Sequence, residues 1–168
     1  VEFGYVSPGI GLPSFALSQL ANGQRKYSID SVNMEKLEIK VKQLDLKQAI
    51  RVYQGYKQYT TGLNDDENTS LPYGLISGTT VYDEVVSLDN ALDTSKQIHF
   101  NWDEILPNRD KHAVVFLSVE ATPKGKVKEK DRKAGRRQIS QSLIQITDIG
   151  LAWKLGKDKL WIYAYRSE

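Results

Sequence analysis

The sequence predicts an all-β protein, an antiparallel β-sandwich with one short inserted helix. Three observations lead there. Apolar and polar residues alternate with a period of two in segment after segment, most cleanly over Lys36–Gln43, where Leu37, Ile39 and Val41 share one face and Glu38, Lys40 and Lys42 the other. Only Leu46–Tyr56 has helical spacing, whereas an α/β chain would repeat such a stretch between strands. The strand-like runs are short and separated by turn residues, the pattern of a sandwich or barrel. A chain of 168 residues suffices for one domain, residues 1–168, burying roughly 70% of its unfolded surface. Its composition, 40% apolar and 26% charged, is that of a globular chain, which argues against wholesale disorder.

Taken in order, the opening from Glu2 begins as a strand and is broken by Pro8, Gly9, Gly11 and Pro13. Phe15, Leu17 and Leu20 dock this segment onto the body, Asn22-Gly23 makes a turn, and Gln24 to Ile29 begins another strand. After Lys36–Gln43, Asp45 with Gln48 three residues on forms a variant capping box. Leu46, Ala49, Ile50 and Tyr53 make the apolar stripe of the helix, widened by Val52 and Tyr56, and Gly55 with Thr60-Thr61 ends it. Gly62 to Tyr73 reads as an exposed loop, Thr79 to Leu88 as a strand with mixed faces, and Gln97 to Trp102 as an alternating strand. His112 to Val119 is almost continuously apolar and suits a central strand buried on both faces. Gln138 then leads into three closely spaced strands. Ile144 and Ile146 oppose Gln145 and Thr147; Leu151, Trp153 and Leu155 oppose Ala152 and Lys154; past Gly156-Lys157-Asp158, Leu160, Ile162 and Ala164 oppose Trp161, Tyr163 and Tyr165. This is the pattern of a β-meander, and it brings the total to about eight strands.

Little in the residues carries chemistry. There is no cysteine, which excludes disulfides, thiolate metal sites, cysteine nucleophiles and an internal thioester in this segment and leaves the compartment open. His99 and His112 lie on separate strands with no pairing spacing, and Asn64 to Asn68 lacks the ligand order of a calcium loop, so no metal or other cofactor is expected. Ser140 and Ser142 lack the context of a nucleophile elbow, and Gly9-Ile10-Gly11 lacks the remaining glycine and the setting of a nucleotide loop. The adjacent carboxylates Asp83-Glu84 and Asp103-Glu104 would point to opposite faces of a strand. An enzyme is not expected. No apolar run approaches the roughly 20 residues that span a bilayer, and no signal-peptide pattern is read in this segment, so any targeting signal is expected to lie outside it. The chain begins at Val1 and is expected to be a fragment of a larger multidomain protein.

Two features invite a functional reading beside a plainer one. Lys124 to Arg137 carries eight basic and two acidic residues, a local +6 that leaves −4 for the remainder of a chain whose total is +2. It is either a cation patch for nucleic acid or anionic lipid, or a solvated hairpin loop whose charge discourages edge pairing. It holds no aromatic residue for base stacking, which favours the loop. Trp161, Tyr163 and Tyr165 form either a carbohydrate platform or a packing face against a neighbouring module or sheet. Asn68-Thr69-Ser70 matches a glycosylation sequon.

The stretch Gln145-Ile-Thr-Asp-Ile-Gly-Leu151, followed by a strand, a Gly/Asp turn and Leu160 to Tyr165, resembles the bacterial α2-macroglobulin family. There a hydrophobic-Thr/Ser-Asp-hydrophobic-Gly-hydrophobic stretch ends an N-terminal macroglobulin-like domain. Val1 to Pro13, Ser31 to Ile39 and Leu46 to Tyr56 are similar in order to the earlier parts of that region, while the Lys124–Arg137 loop departs from it in length and charge. The resemblance implies a macroglobulin-like sandwich of the fibronectin type III kind that acts as scaffold, with Thr147, Asp148, Ile149 and Gly150 as a structural motif. It implies neighbouring macroglobulin-like domains as partners and target proteases met through the intact parent. It also implies a periplasmic, cell-envelope setting as part of an inner-membrane lipoprotein. Neither nucleic acid nor direct membrane contact is expected for this segment. From the residues alone, Asp148 is expected to accept a backbone N–H two positions on, and Gly150 to supply a positive φ.

Overall fold

Two apolar sheet faces pressed together supply the core, and alternation along each strand decides which residues reach it. The computed structural model describes residues 6–13, 15–60, 70–107, 112–124 and 138–166. The elements are β1 (Gly9–Gly11), β2 (Ala16–Gln19), β3 (Lys26–Val32), β4 (Met34–Leu44), α1 (Leu46–Thr60), β5 (Thr79–Ser87), β6 (Ser95–Asn101), α2 (Trp102–Ile105), β7 (Ala113–Pro123), β8 (Gln138–Ile146), β9 (Ile149–Leu155) and β10 (Leu160–Arg166). A five-stranded sheet in the order β2-β8-β7-β4-β5 packs on a three-stranded sheet in the order β1-β3-β6. Leu37, Ile39 and Val41 of β4, Val115, Leu117 and Val119 of β7 and Ile144 of β8 meet Ile29 of β3 and Phe100 of β6 in one core.

The alternation of Lys36–Gln43 and the apolar run after His112 sit where their patterns require. β4 and β7 pair antiparallel at the centre of the large sheet, and β7 continues to Pro123. All described pairings are antiparallel except one. β2 lies parallel to β8, with Ala16 opposite Leu143 and Gln19 opposite Ile146. A parallel neighbour cannot be reached by a hairpin, and here the strand comes from the far end of the chain.

Several expectations are corrected. Residues 1–5 lie outside the described set; the first strand falls on Gly9–Gly11, read above as a break, because β3 offers it a partner from Asp30 to Val32. Phe15 stacks on Tyr56 at a centroid distance of 3.5 Å and Leu17 packs on the core, but Leu20 is 54% exposed. The capping box is reciprocal, as expected. Asp45 Oδ1 accepts from the Gln48 N–H and Gln48 Oε1 from the Asp45 N–H, both at 2.8 Å. The stripe of α1 is turned, however. Ala49 and Val52 press on Leu44, Phe116 and Leu143, while Leu46, Ile50 and Tyr53 are exposed because α1 covers only part of the sheet's outer face. β6 stops at Asn101, whose side chain accepts from the Asp103 N–H and caps α2. Trp102 thereby turns fully inward and donates its Nε1–H to Gln19 Oε1 at 2.8 Å. Residues 61–69 lie outside the description, but the end of the predicted loop is held. Lys42, nearly buried, donates from Nζ to the carbonyls of Tyr73 and Ile76 at 3.0 and 2.6 Å.

At one end of the sandwich a polar knot replaces apolar packing. Asn33, wholly buried at φ 52°, donates to the Val6 carbonyl and to Asp93 Oδ1, and its Oδ1 accepts from the Asp93 N–H. Asn and Asp tolerate the left-handed region because their short side chains bond locally to the backbone. The predicted meander is not formed. β8 belongs to the large sheet, whereas among the described residues β9 and β10 pair only with each other.

Candidate interaction surface

Thr147 and Asp148 join the sandwich to the β9–β10 hairpin. The turn between two strands needs its N–H groups satisfied, and here the threonine does it. Thr147 Oγ1 accepts from the Ile149 N–H at 3.1 Å, a turn of the kind expected of Asp148 and Gly150 but one position earlier in the chain. The Thr147 N–H donates to the Gln19 carbonyl at 2.9 Å. Asp148 reaches elsewhere. It is buried, and its Oδ1 accepts from the backbone N–H of Asn22 at 2.9 Å, fixing the Asn22-Gly23 turn against the junction.

Gly150 is also needed for a different reason than expected. Among the described glycines the positive φ belongs to Gly78, at 145°. In β9, Gly150 is paired with Tyr165, and a Cβ there would come within 2.3 Å of the Tyr165 ring. The tyrosine lies across the bare backbone, as cross-strand aromatics do over glycine. The register continues this arrangement, with Tyr163 opposite Ala152 and Trp161 opposite Lys154. Three aromatic side chains thus share a face with small or flexible partners and are 52%, 56% and 58% exposed in chain order from Trp161. On the reverse face Ile149, Leu151 and Ile162 are equally open. The hairpin closes through the Gly156 N–H donating to the Lys159 carbonyl at 2.8 Å. A lone two-stranded ribbon is marginal in water, and its open apolar faces make it the candidate interaction surface among the described residues.

The other candidates are not brought together. His99 Nδ1 meets Ser28 Oγ at 2.9 Å across the exposed face of β3 and β6, but the neighbouring Asp30 carboxylate accepts from Gln97 instead. His112 is exposed at the start of β7. Ser142 is buried, its Oγ near the Phe15 carbonyl, and Ser140 pairs with Val119 in the sheet. Asp83 and Glu84 are successive exposed residues of β5. Asp103 pairs with Arg25 at 2.7 Å, while Glu104 accepts from Asn101. Among the described residues no three His, Cys, Asp or Glu side chains converge as a metal site, and no helix is long and apolar enough to cross a membrane. Asn64 to Asn68, the sequon at Asn68 and residues 125–137 of the basic loop lie outside the described residues. Lys124, at the loop's start, donates through its backbone N–H to Asn33 and through Nζ to the Asn90 carbonyl.

A groove between β2 and α1, not foreseen from the sequence, is lined by Ala16 and Ser18 on one side and Leu46, Ile50 and Tyr53 on the other. The stripe of α1 held the one available hint, being wider than a single sheet contact requires.

No family model matches the chain, and no curated protein matches it. Its fold does match solved structures of native α2-macroglobulin from Escherichia coli. A crystal structure spanning domains MG0-NIE-MG1 superposes with a TM-score of 0.57 at 14% identity, over 96% of this chain and 46% of that one. A second, spanning NIE-MG1, gives 0.56 at 14% identity, over 95% and 70%. The cryo-EM structure of the native conformation gives 0.59 at 14% identity, over 96% of this chain and 9% of that one. The chain thus spans less than half of the first of these structures and under a tenth of the third. The sandwich described above is therefore the fold found in the domains of a bacterial α2-macroglobulin.

Proposed function

We propose that this chain is a scaffold module of a multidomain protein of the α2-macroglobulin type, and that the β9–β10 hairpin is where it meets a neighbouring domain. The observation that carries the reading is that both faces of the hairpin are open and apolar: Trp161, Tyr163 and Tyr165 on one, Ile149, Leu151 and Ile162 on the other. A protein neighbour can bury both. On the likeness of fold, we extend the proposal to the parent protein: a protease trap of the bacterial cell envelope, periplasmic and held to the inner membrane as a lipoprotein. This module supplies its frame and has no catalytic part in it.

A second reading, a carbohydrate platform, is favoured by the row of exposed aromatics at strand spacing. The open aliphatic reverse favours the first, since a sugar would leave it in water. Amide exchange tests the two together. Compared in the isolated chain and in the intact protein, the amides of Leu151 and Ile162 should be at least about tenfold better protected in the intact protein. Equal exchange in both would overturn the docking role, and glycan-array binding lost in Trp161→Ala would put the sugar platform in its place. For the parent's role, the intact protein should retain an added protease while a form lacking this module should not; retention by both would remove the module from the trap.

A further inference from the structure

The large sheet ends on one side in β2, and the direction of its main-chain groups follows from the parallel pairing. The carbonyls of Phe15 and Gln19 receive the N–H groups of Leu143 and Thr147. By the alternation of a strand, the N–H and C=O groups of Ala16 and Ser18 point the opposite way, off the edge of the sheet. No described residue bonds to them. Across β2 from this edge, on the outer face of the sheet over β8, runs the groove of about 520 Å³ whose far wall is Leu46, Ile50 and Tyr53 of α1 and whose floor includes Leu143; the small side chains of Ala16 and Ser18 alone separate it from the edge. Leu46 is 71% exposed and Ile50 48%, an unusual exposure for the apolar stripe of a sheet-packed helix.

The opposite edge of the same sheet is built differently. β5 carries Asp83 and Glu84 at exposed positions, the kind of charge that keeps a free edge from pairing. β2 reads Ala-Leu-Ser-Gln and has no charge.

We propose that the β2 edge and the groove of α1 are a docking site for an extended apolar peptide segment of another protein. The segment adds as a strand beside β2 and places one side chain between Ala16 and Ile50. Two features fix this occupant. Main-chain donors and acceptors two residues apart require a partner with the same backbone repeat, which a helix or a small apolar molecule does not offer. A side chain from alternate positions of that strand reaches the groove by passing over the small Ala16 and Ser18, and the groove's apolar wall asks for a long aliphatic one.

The test titrates the whole 168-residue chain with the blocked peptide Thr-Val-Thr-Leu-Thr-Val-Thr up to about 1 mM, read by amide NMR and hydrogen exchange. The expected result is shifted amides at Ala16 and Ser18 with about tenfold slower exchange, together with shifts at Ile50 and Tyr53. The same peptide N-methylated at alternate residues should bind at least about tenfold more weakly, as should Ile50→Glu protein with the unmodified peptide. Equal binding by the N-methylated peptide, shifts confined to Ile50 and Tyr53, or no shift at the highest concentration would each overturn the proposal. The modified peptide leaves the protein untouched, so the outcome does not depend on a variant that folds.

Discussion

Strand β4 and the β9–β10 hairpin carry the same text, an apolar residue at every second position, and meet opposite fates. Leu37, Ile39 and Val41 are wholly buried, whereas Leu151 and Ile162 are each 65% exposed. The difference lies in their neighbours. β4 has β5 and β7 along its two edges and the three-stranded sheet across its inner face; among the described strands β9 and β10 have only each other. Alternation specifies a strand and sorts its faces, and topology alone decides whether anything is laid on them.

Substitution at matched residues should break or sharpen that contrast most strongly. Ile39→Ala is expected to cost about 2–5 kcal/mol in urea unfolding, because it empties a closed core. Ile162→Ala should stay within about 0.5 kcal/mol in the same chain. Equal costs would mean the hairpin is folded into the body after all.

The buried side of the comparison also titrates. Burial pushes the Tyr27 phenol up to about 12, with the Ser142 hydroxyl beside it pulling the other way. The folded value lies above the unfolded one, so this stabilisation is complete below about pH 10 and is lost as the pH climbs towards 12. Stability should drop by roughly 2–3 kcal/mol over that window on this account, and Tyr27→Phe should lack that share of the drop. An identical alkaline profile for the variant would assign the loss to other groups.

The smallest effect is local. Gly150→Val places side-chain atoms where the Tyr165 ring lies, so it should open the hairpin. Amide exchange at Leu151 and Tyr163 should quicken by about tenfold while the unfolding midpoint of the sandwich stays put. A shifted global midpoint would join hairpin and body into one cooperative unit.

How far the sequence could be read follows the same division. β4, β7 and the Asp45/Gln48 box were legible because each is specified by its own residues. β1 was hidden because Gly9 and Gly11 resemble a break until β3 stands beside them. β2 has four residues, too few for a period to appear, and a partner strand that begins more than a hundred positions away. The helix of α1 was evident, but not its rotation, which depends on how little of the sheet it covers. At the candidate surface, Thr147–Gly150 was legible as a junction. The bond of Asp148 to Asn22, separated by 126 residues, and the seat of Tyr165 on Gly150 were not, since neither is a local property of the chain.

The parallel placement of β2 against β8 sets a schedule for the newborn chain. Ala16 leaves the ribosome 127 residues ahead of Leu143, the residue it must lie beside. At roughly 5–20 residues per second this is a wait of about 6–25 seconds. Throughout that interval both edges of the uncharged tetrapeptide are open, which makes this short strand a natural client for a chaperone until β8 has been translated.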